Sequence, residues 1–283
     1  MSALPISDDY QNLRVLISKI QELAVLPHVV FKVLEVTGSS ESPAAEIERA
    51  ILVDPGFSTR LLSVANSAYY ALPRKVTSIR EAVMFLGFKT IRQLAMTVGV
   101  FDIFIGKSDR ESLRRRSWWR HSVDTAVCAR AIATYSKRVS PEEAYTCGLL
   151  HYLGKSLMDR YLDGNFDDVD ALMMSGMKEH EAERRVFGLV HTEASLAAAL
   201  KWGFTPALTS SLNYMVEPKP DEQGAAHRAC VALSTAIARE AVGEQVIEPP
   251  TWALEVLGIS ADDLCQVSKL GMEAILNSGG MKL

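Results

Sequence analysis

Apolar residues recur along most of this chain at the three- and four-residue spacing of amphipathic helices. In one segment Phe57, Leu61 and Ala65 fall on a single helix face, and the same spacing returns at Ile91 and Val98. No segment alternates apolar and polar residues for long enough to predict a strand. The pattern therefore predicts an all-α fold of about a dozen helices.

Proline and capping residues mark where several of these helices begin. Asp54 followed by Pro55 predicts an N-cap and a first helical residue, and Ser78 with Glu81 predicts a capping box for a helix that ends at Gly87. With the apolar spacing, these signals predict helices over residues 44–53, 112–135, 168–175, 178–187, 191–202, 206–216, 225–241 and 260–277. Breaks are expected at 106–109, 217–224 and 248–250.

Composition and charge narrow the function classes. The 283 residues carry a formal net charge of -4, with 48% hydrophobic and 23% charged residues, so a general binder of nucleic acid is not expected. Residues 1–9 lack the basic and apolar regions of a secretory leader, and the apolar stretch 94–105 is too short to span a bilayer. The four cysteines have no paired spacing. We expect a soluble cytoplasmic protein without a membrane partner.

One motif is chemically informative, because residues 148–155 read Gly-Leu-Leu-His-Tyr-Leu-Gly-Lys. Ser140, Pro141 and Glu143 predict a capped start for the preceding helix, so His151 is expected near the C-terminal end of that helix. In a run of this kind, the histidine is usually followed by an aspartate that binds the same divalent cation or bridges two. Here that position is Tyr152, a phenol with a pKa near about 10 and a poor ligand for hard cations.

Several motifs in one register resemble the HDOD domain, a bacterial HD-related output domain. They are LPHVVFKVLEV, ILVDPGFSTRLLSVANSAYY, SIREAVMFLGF, WWRHSVDTAVCARAIA, EEAYTCGLLHYLGK and HTEASLAAALKWGF, spread over residues 20–216. The resemblance implies an HDOD domain at 20–220, in which a multi-helical N-terminal subdomain at 20–107 packs on an HD-like helical core at 108–220. A helical extension at 1–19 and C-terminal helices at 221–283, packed on the core, are expected to flank it.

The resemblance also implies a function, since HDOD domains are generally non-catalytic modules of bacterial signal transduction. They often occur beside sensory, response-regulator or cyclic-di-GMP turnover domains. We therefore expect a regulatory protein that acts through protein–protein interaction. Its expected partners are other signalling proteins, among them cyclic-di-GMP turnover or two-component proteins, and a homodimer is an alternative.

The relation to HD phosphohydrolases implies where a metal site would lie. Active HD enzymes use an upstream His, the His-Asp pair and a later Asp, and their cation lowers the pKa of a water nucleophile. His121 matches the upstream position and His151 the pair, but Tyr152 replaces the Asp and Ser234 stands near the later one. With His191, the residues His121, His151 and Tyr152 would form a vestigial HD pocket without catalytic residues.

Two interpretations of these imidazoles are open. If they converge, His121 and His151 could weakly hold a divalent cation such as Zn, Fe or Ni, and an altered metal-dependent phosphohydrolase would be the alternative function. The compensating carboxylate would then be Asp124, Glu193 or Glu217. Otherwise each ring serves its own helix: His121 donates to a backbone carbonyl, His151 satisfies a helix end and His191 lies in a cap region. We favour this second interpretation and expect no cofactor.

A basic and aromatic cluster begins the helix predicted at 112–135. Its members are Arg114, Arg115, Arg116, Trp118, Trp119 and Arg120. Guanidinium groups could contact a phosphate while an indole stacks on a base, so a sensor of nucleotides such as cyclic dinucleotides is another alternative. A short basic run in an acidic protein is more often a solvated face, and the alternating charges at 178–185 predict a solvated helix as well.

The motif residues of the N-terminal half are expected to be structural. Asp54 and Pro55 start a helix, and Asn66 and Ser67 follow the end of one. Next to them lie Tyr69, Tyr70, Leu72 and Pro73. These would suit a partner surface if they are exposed, although packing into the core is the more common fate of such residues.

Overall fold

A computed structural model describes residues 11–22, 27–37, 44–104, 109–219, 222–243 and 248–278, and its regular elements in these ranges are helices. In chain order they are α1 (Gln11–Glu22), α2 (His28–Val36), α3 (Ala44–Leu52), α4 (Pro55–Ala65), α5 (Ile79–Phe104), α6 (Asp109–Ser136), α7 (Pro141–Leu150), α8 (Leu153–Tyr161), α9 (Phe166–Met174), α10 (Glu179–Phe187), α11 (His191–Lys201), α12 (Pro206–Ser211), α13 (Ala225–Ala241), α14 (Thr251–Leu257) and α15 (Ala261–Ser278). The predicted all-α fold class is confirmed.

Two groups of helices pack on each other. In the first, α2, α3 and α4 surround α5. In the second, α7, α13 and α15 pack on α6, while α8 lies against α11, and α12 and α14 lie against α13. Helix α5 also contacts α6, α7 and α8, and α1 contacts α8 and α11. The buried apolar side chains of both groups form one hydrophobic cluster, which holds the site described below between α6, α8, α11 and α13.

Local capping chemistry places the helices of the first group. Asp54 accepts a hydrogen bond from the Phe57 amide at 2.9 Å and Pro55 is the first residue of α4, as predicted. Asn66 follows α4, and its side-chain amide bonds to both backbone groups of Val76, with distances of 2.9 and 2.8 Å. This pairing fixes the end of α4 to the segment that precedes α5.

Helix α5 is interrupted at Gly87, where φ is 76° and ψ is 167°. Glycine adopts this conformation readily because it has no Cβ, and the predicted helix end at this residue is confirmed. By length and composition the segment Ile79–Phe101 could cross a membrane, but 56% of its most apolar window is buried within the fold. The interruption at Gly87 and the burial of this segment are typical of a helix in the core of a folded domain.

Three local predictions were wrong or incomplete. The capping box at Ser140 does not form, because its hydroxyl donates to the Glu142 carboxylate at 3.0 Å and makes no cap hydrogen bond. Helix α12 ends at Ser211 and not at 216, because the amides of Leu212 and Asn213 bond three residues back, at 3.3 and 3.2 Å, in tight turns. Helices α8 and α14 were not predicted. Apart from its last residue, the predicted break at 106–109 lies outside the described residues.

The aromatic residues after α4 pack into the structure. The rings of Tyr69 and Tyr70 are partly buried and meet edge to face, with centroids 4.9 Å apart. Arg130 of α6 donates to the Tyr69 hydroxyl at 3.1 Å, and Leu72 is also partly buried. Pro73 alone of these four is exposed. Core packing therefore accounts for most of this predicted partner surface.

Candidate functional site

The HD-like motif lies in the tight turn between α7 and α8. Gly148 lets the α7 backbone approach α6, because a Cβ there would lie 2.7 Å from a Cα atom of that helix. Gly154 lets α8 approach α11, since a Cβ there would lie 1.9 Å from the backbone oxygen of His191. The two glycines thus bring four helices, α6, α7, α8 and α11, together around His151 and Tyr152, which occupy the turn.

The residues of the predicted vestigial HD pocket do meet in space. The ring of Tyr152 lies at their centre, with centroid distances of 4.6 Å to His121, 4.2 Å to His151 and 5.3 Å to His191. The rings of His121 and His151 are 5.1 Å apart. Tyr214, which follows α12, closes the group at 5.4 Å from His151. A phenol ring therefore fills the space between the three imidazoles.

The first two histidines are kept neutral by their surroundings. His151 is fully buried, its Nδ1 donates to the Gly148 carbonyl at 2.6 Å as predicted for a helix end, and burial lowers its pKa well below the usual value. Its Nε2 makes no hydrogen bond with any described residue. Burial, with the nearby Arg239 and Lys155 charges, lowers the pKa of His121 to about 3.

The predicted backbone bond of His121 was wrong. Its Nε2 lies 3.5 Å from the Thr125 hydroxyl, one turn further along α6. This distance is at the limit of a hydrogen bond, so Thr125 restrains the ring weakly.

His191 forms a separate buried chain of hydrogen bonds. The Glu183 carboxylate accepts from the backbone amide of His191 at 2.9 Å and from its Nδ1 at 2.7 Å, and His191 Nε2 lies 2.8 Å from the Tyr214 hydroxyl. Both His191 and Glu183 are fully buried. Burial alone raises the pKa of Glu183, but the charge interaction and hydrogen bonds with His191 outweigh it and lower that pKa.

An internal ion-pair cluster of Lys155, Glu179 and Arg239 lies against Tyr152. Glu179 pairs with Lys155 and accepts from Arg239 at 2.7 Å. Arg239 also donates to the Tyr152 hydroxyl, and the Lys155 ammonium lies 4.0 Å from the Tyr152 ring centroid, a cation–π contact. Burial by itself raises the pKa of Glu179, but the two cations outweigh it and hold that pKa well below the usual range.

The donor set of this site does not fit a divalent cation. In the part of the chain that the structure describes, no group of three or more His, Cys, Asp or Glu side chains is placed to hold a metal ion. Glu179 already faces Lys155 and Arg239, and Glu183 is bonded to His191. A divalent cation entering here would meet two fixed positive charges, which repel it.

The compensating carboxylates suggested by the sequence lie elsewhere. Asp124 pairs with Arg120 at 2.8 Å, Glu193 pairs with Arg184 at 2.9 Å, and Glu217 is exposed. None of the three joins the vestigial HD pocket within the described structure.

Sequence reasoning missed the two acidic residues that do reach the site. The segment 178–185 was interpreted as a solvated helix, and this was wrong for Glu179 and Glu183, which lie one turn apart on the inner face of α10. A signal was present, since Ala182 and Phe187 on the same face are apolar and buried. The alternating charges of residues 178–185 made this buried face hard to recognise in the sequence.

The arginines of the basic cluster are largely engaged in ion pairs. Arg114 pairs with Asp167 and lies 3.1 Å from Asp170, while Arg115, 3% exposed, donates to Asp159 at 2.6 Å. Of the remaining members, Arg120 pairs with Asp124, Trp118 and Trp119 are buried, and Arg116 is exposed. Their contacts are thus with the carboxylates of α6, α8 and α9, and a phosphate contact stays a prediction.

The motif residue Ser67 differs from the other polar motif residues. Asp54 caps helix α4, and Asn66 pairs with Val76. The Ser67 hydroxyl is buried and makes no hydrogen bond within the described residues. It therefore has no evident capping role.

Comparisons with known proteins agree on one family. Residues 23–218 match the HDOD domain. A crystal structure of an HDOD domain protein with unknown function from Geobacter sulfurreducens has a TM-score of 0.78 and 23% identity, over 97% of this chain and 98% of that one. A Shewanella amazonensis SB2B protein, provisionally named a phosphohydrolase, has a TM-score of 0.71 and 24% identity, over 95% and 98% of the two chains.

Two further relatives differ in length from this chain. A Marinobacter aquaeolei VT8 protein, provisionally named a signal transduction protein, has a TM-score of 0.72 and 19% identity, over 99% of this chain and 67% of that one. An uncharacterized Treponema pallidum (strain Nichols) protein is 23% identical over 202 residues, which is 67% of this chain but 37% of that protein. The structural likenesses establish the shared fold. Because the family match spans residues 23–218 of the 283, the chain belongs to the HDOD domain family.

Proposed function

We propose that this protein is a non-catalytic signalling module that works in the cytoplasm by binding another protein. The observation that carries the proposal is Tyr152, which stands where an HD hydrolase has a metal-binding aspartate and which accepts from Arg239. HD-type hydrolysis depends on a cation that lowers the pKa of a water nucleophile. Here the positive charge comes from Lys155 and Arg239, and an imidazole with a pKa of about 3, such as His121, is a weak general base at neutral pH.

The names given to similar folds point in two directions. The Shewanella amazonensis protein is provisionally called a phosphohydrolase and the Marinobacter aquaeolei protein a signal transduction protein. Since one fold can host both functions, the chemistry of the site in this chain has to decide between them. That chemistry supports the signalling role.

Exposed apolar side chains on the first helix group offer a surface for a protein partner. On α3 and just after it, Leu52 and Val53 are 54% and 81% exposed, and on α5 Met84 and Phe85 are 75% and 46% exposed. Helices α3 and α5 pack on each other, so these four residues lie on adjoining elements. Large apolar side chains that are exposed on adjoining helices are the kind of surface that protein interaction sites use.

A hydrolysis assay tests the non-catalytic part of the proposal. The purified protein is incubated with bis(p-nitrophenyl) phosphate and p-nitrophenyl phosphate in the presence of Mn²⁺, Fe²⁺ or Mg²⁺, beside the His151→Ala variant. We expect no rate above that of the variant. A rate that is present in the natural protein and disappears in His151→Ala would contradict the proposal.

Site-specific photocrosslinking tests the partner-binding part. A photoreactive phenylalanine analogue replaces Met84 or, as a control of equal exposure, Leu276 on α15, which is 78% exposed. Irradiation inside the cells that make the protein should give a discrete adduct at Met84 and none at Leu276. An adduct of twice the chain mass identifies the partner as a second copy. Equal labelling at both positions, or none at Met84, would refute this surface.

A further inference from the structure

A cavity of about 510 Å³ lies between the two helix groups, away from the vestigial HD pocket. Helices α2 and α5 form one side, and α7, α12 and the segment after α11 form the other. Its volume falls in the range of small-molecule sites, roughly 300–1,000 Å³. We call it the junction cavity, because its walls come from both groups.

One wall of the junction cavity is aromatic. Trp202 and Phe204 meet edge to face with centroids 5.8 Å apart, and Gly203 between them has a φ of 71°, which turns the chain so that both rings line the cavity. Phe31 and Met96 line it as well. Such walls bind planar rings by stacking and by contacts with sulfur.

The facing wall is polar and comes from α5. Lys89, Arg92 and Gln93 are spaced i, i+3 and i+4, so they share a helix face and all line the cavity. Gln93 is 2% exposed, and neither atom of its amide makes a hydrogen bond of normal geometry in the described structure. The nearby Tyr145 hydroxyl is 3.1 Å from Thr97. The Tyr145 hydroxyl also interacts with the Gln93 amide, which it satisfies only in part. A buried amide that is incompletely satisfied is costly, and a ligand that donates and accepts would complete its hydrogen bonds.

The carboxylates around the cavity have hydrogen-bond or ion-pair partners, whereas the two cations on α5 make no ion pair with any described residue. Its three carboxylates each have a partner: Glu35 pairs with Lys32 at 2.9 Å, Glu142 accepts from Ser140 at 3.0 Å, and Glu143 lies 3.3 Å from His227. Within the described chain, neither cation on the α5 face makes an ion pair, and both are exposed at the cavity. In this part of the structure the α5 face of the junction cavity therefore offers two unpaired cations, while the carboxylates lie on the other helices that line it.

We propose that the junction cavity binds a small molecule with a planar aromatic ring and an anionic group. The ring lies against Trp202 and Phe204, its polar edge bonds to the Gln93 amide, and the anion is held by Lys89 and Arg92. Because the walls belong to both helix groups, an occupant bridges them. Its influence on partner binding rests on the proposed function, whereas the binding itself does not.

Fluorescence titration with 8-anilinonaphthalene-1-sulfonate, an aromatic anion, tests this site in the full chain. We expect saturable binding of one molecule per chain, weakened about tenfold or more by Arg92→Ala, which removes a charge-assisted contact, and by Trp202→Leu. Lys75→Ala removes an equal charge from an exposed position outside the cavity and should change nothing. Binding that does not saturate, or that is equal in all four proteins, would overturn the proposal.

Competition with the bound probe distinguishes the source of the ligand. Displacement by AMP but not by adenosine identifies a nucleotide, in which the phosphate is required. Displacement by indole-3-acetate identifies an aromatic carboxylate. If neither displaces the probe, the assigned chemistry is wrong. A negative result in this competition assay does not affect the proposed partner surface at Met84, which the crosslinking experiment tests separately.

A second variant, Gln93→Met, guards against loss of folding as the cause of weakened binding. Methionine keeps the unbranched shape and removes a buried amide that is only partly satisfied, so the free protein should unfold at about the same temperature. Probe binding should nevertheless weaken several-fold. Unchanged probe affinity in Gln93→Met would exclude the amide from the site.

Discussion

The Glu179→Gln substitution removes the carboxylate that faces both Lys155 and Arg239, while it keeps the size of the side chain. The side chains of Glu179, Lys155 and Arg239 are 13%, 6% and 16% exposed, so the two cations would remain buried without the carboxylate that pairs with both. At an effective dielectric constant of about 20, unit charges about 4 Å apart attract by about 4 kcal/mol. Removing one partner of a buried pair costs about 3–5 kcal/mol. We therefore expect the variant to lose about 4 kcal/mol of unfolding free energy, or on the order of 10 °C in Tm.

Chemical denaturation followed by circular dichroism at pH 7 measures this loss, and Glu48→Gln is the matched control. Glu48 pairs with Arg80 at 3.0 Å, but these side chains are 21% and 61% exposed, so the control should cost about 0.2–1 kcal/mol. If both variants lose the same free energy, the cluster is not a stabilising buried network and the reasoning is refuted.

The pH dependence of the same difference gives a second check. The pKa of Glu179 in the folded protein is lowered, so its contribution is fully present above the pKa of an unfolded glutamate, about 4.3, and is lost as the pH falls through the folded-state pKa. The stabilities of the natural protein and Glu179→Gln should therefore converge below about pH 4. A difference that vanishes between pH 7 and 5 would point to another group.

Three further predictions concern single positions. Because burial lowers the pKa of His151, the unfolded chain takes up a proton below about pH 6.5 that the folded chain does not, which costs up to about 1.4 kcal/mol per pH unit. His151→Asn, which does not titrate, should reduce the slope of stability against pH by this amount in denaturation curves at pH 7, 6 and 5, while His121 keeps its own contribution. Gly154→Ala places a Cβ 1.9 Å from a backbone oxygen and should prevent soluble expression, whereas Gly56→Ala, with 3.4 Å of clearance, should be tolerated. Asn66→Ala breaks two hydrogen bonds to Val76 and should cost about 1–3 kcal/mol in urea denaturation, with Asn66→Asp intermediate because it keeps the acceptor; equal losses would contradict this.

Features that depend on neighbours in the sequence were predictable. The start of α4 follows from Asp54 and Pro55, whose contacts lie within three residues, and the interruption of α5 follows from Gly87. Helix α13 has the bounds predicted from its apolar spacing, Ala225–Ala241. The convergence of the imidazoles was predictable from the family resemblance, since spacing in the sequence does not bring α6, α7 and α11 together.

Features that depend on distant residues were not predictable. Glu179 is buried because Lys155 and Arg239, 24 and 60 residues away, neutralise it, and an isolated helix sequence with alternating charges shows neither partner. The same holds for Arg115, whose burial against Asp159 depends on how α6 and α8 pack. Charged residues that are neutralised by tertiary contacts look like solvent-exposed ones in the sequence.

The most direct test of the central claim is the metal content of the protein, measured by inductively coupled plasma mass spectrometry after purification without chelator or nickel affinity. The claim is that Tyr152, Lys155 and Arg239 occupy the place of a catalytic cation. It predicts metal far below one ion per chain, unchanged in His151→Ala. A metal bound near one per chain and lost in His151→Ala would contradict it.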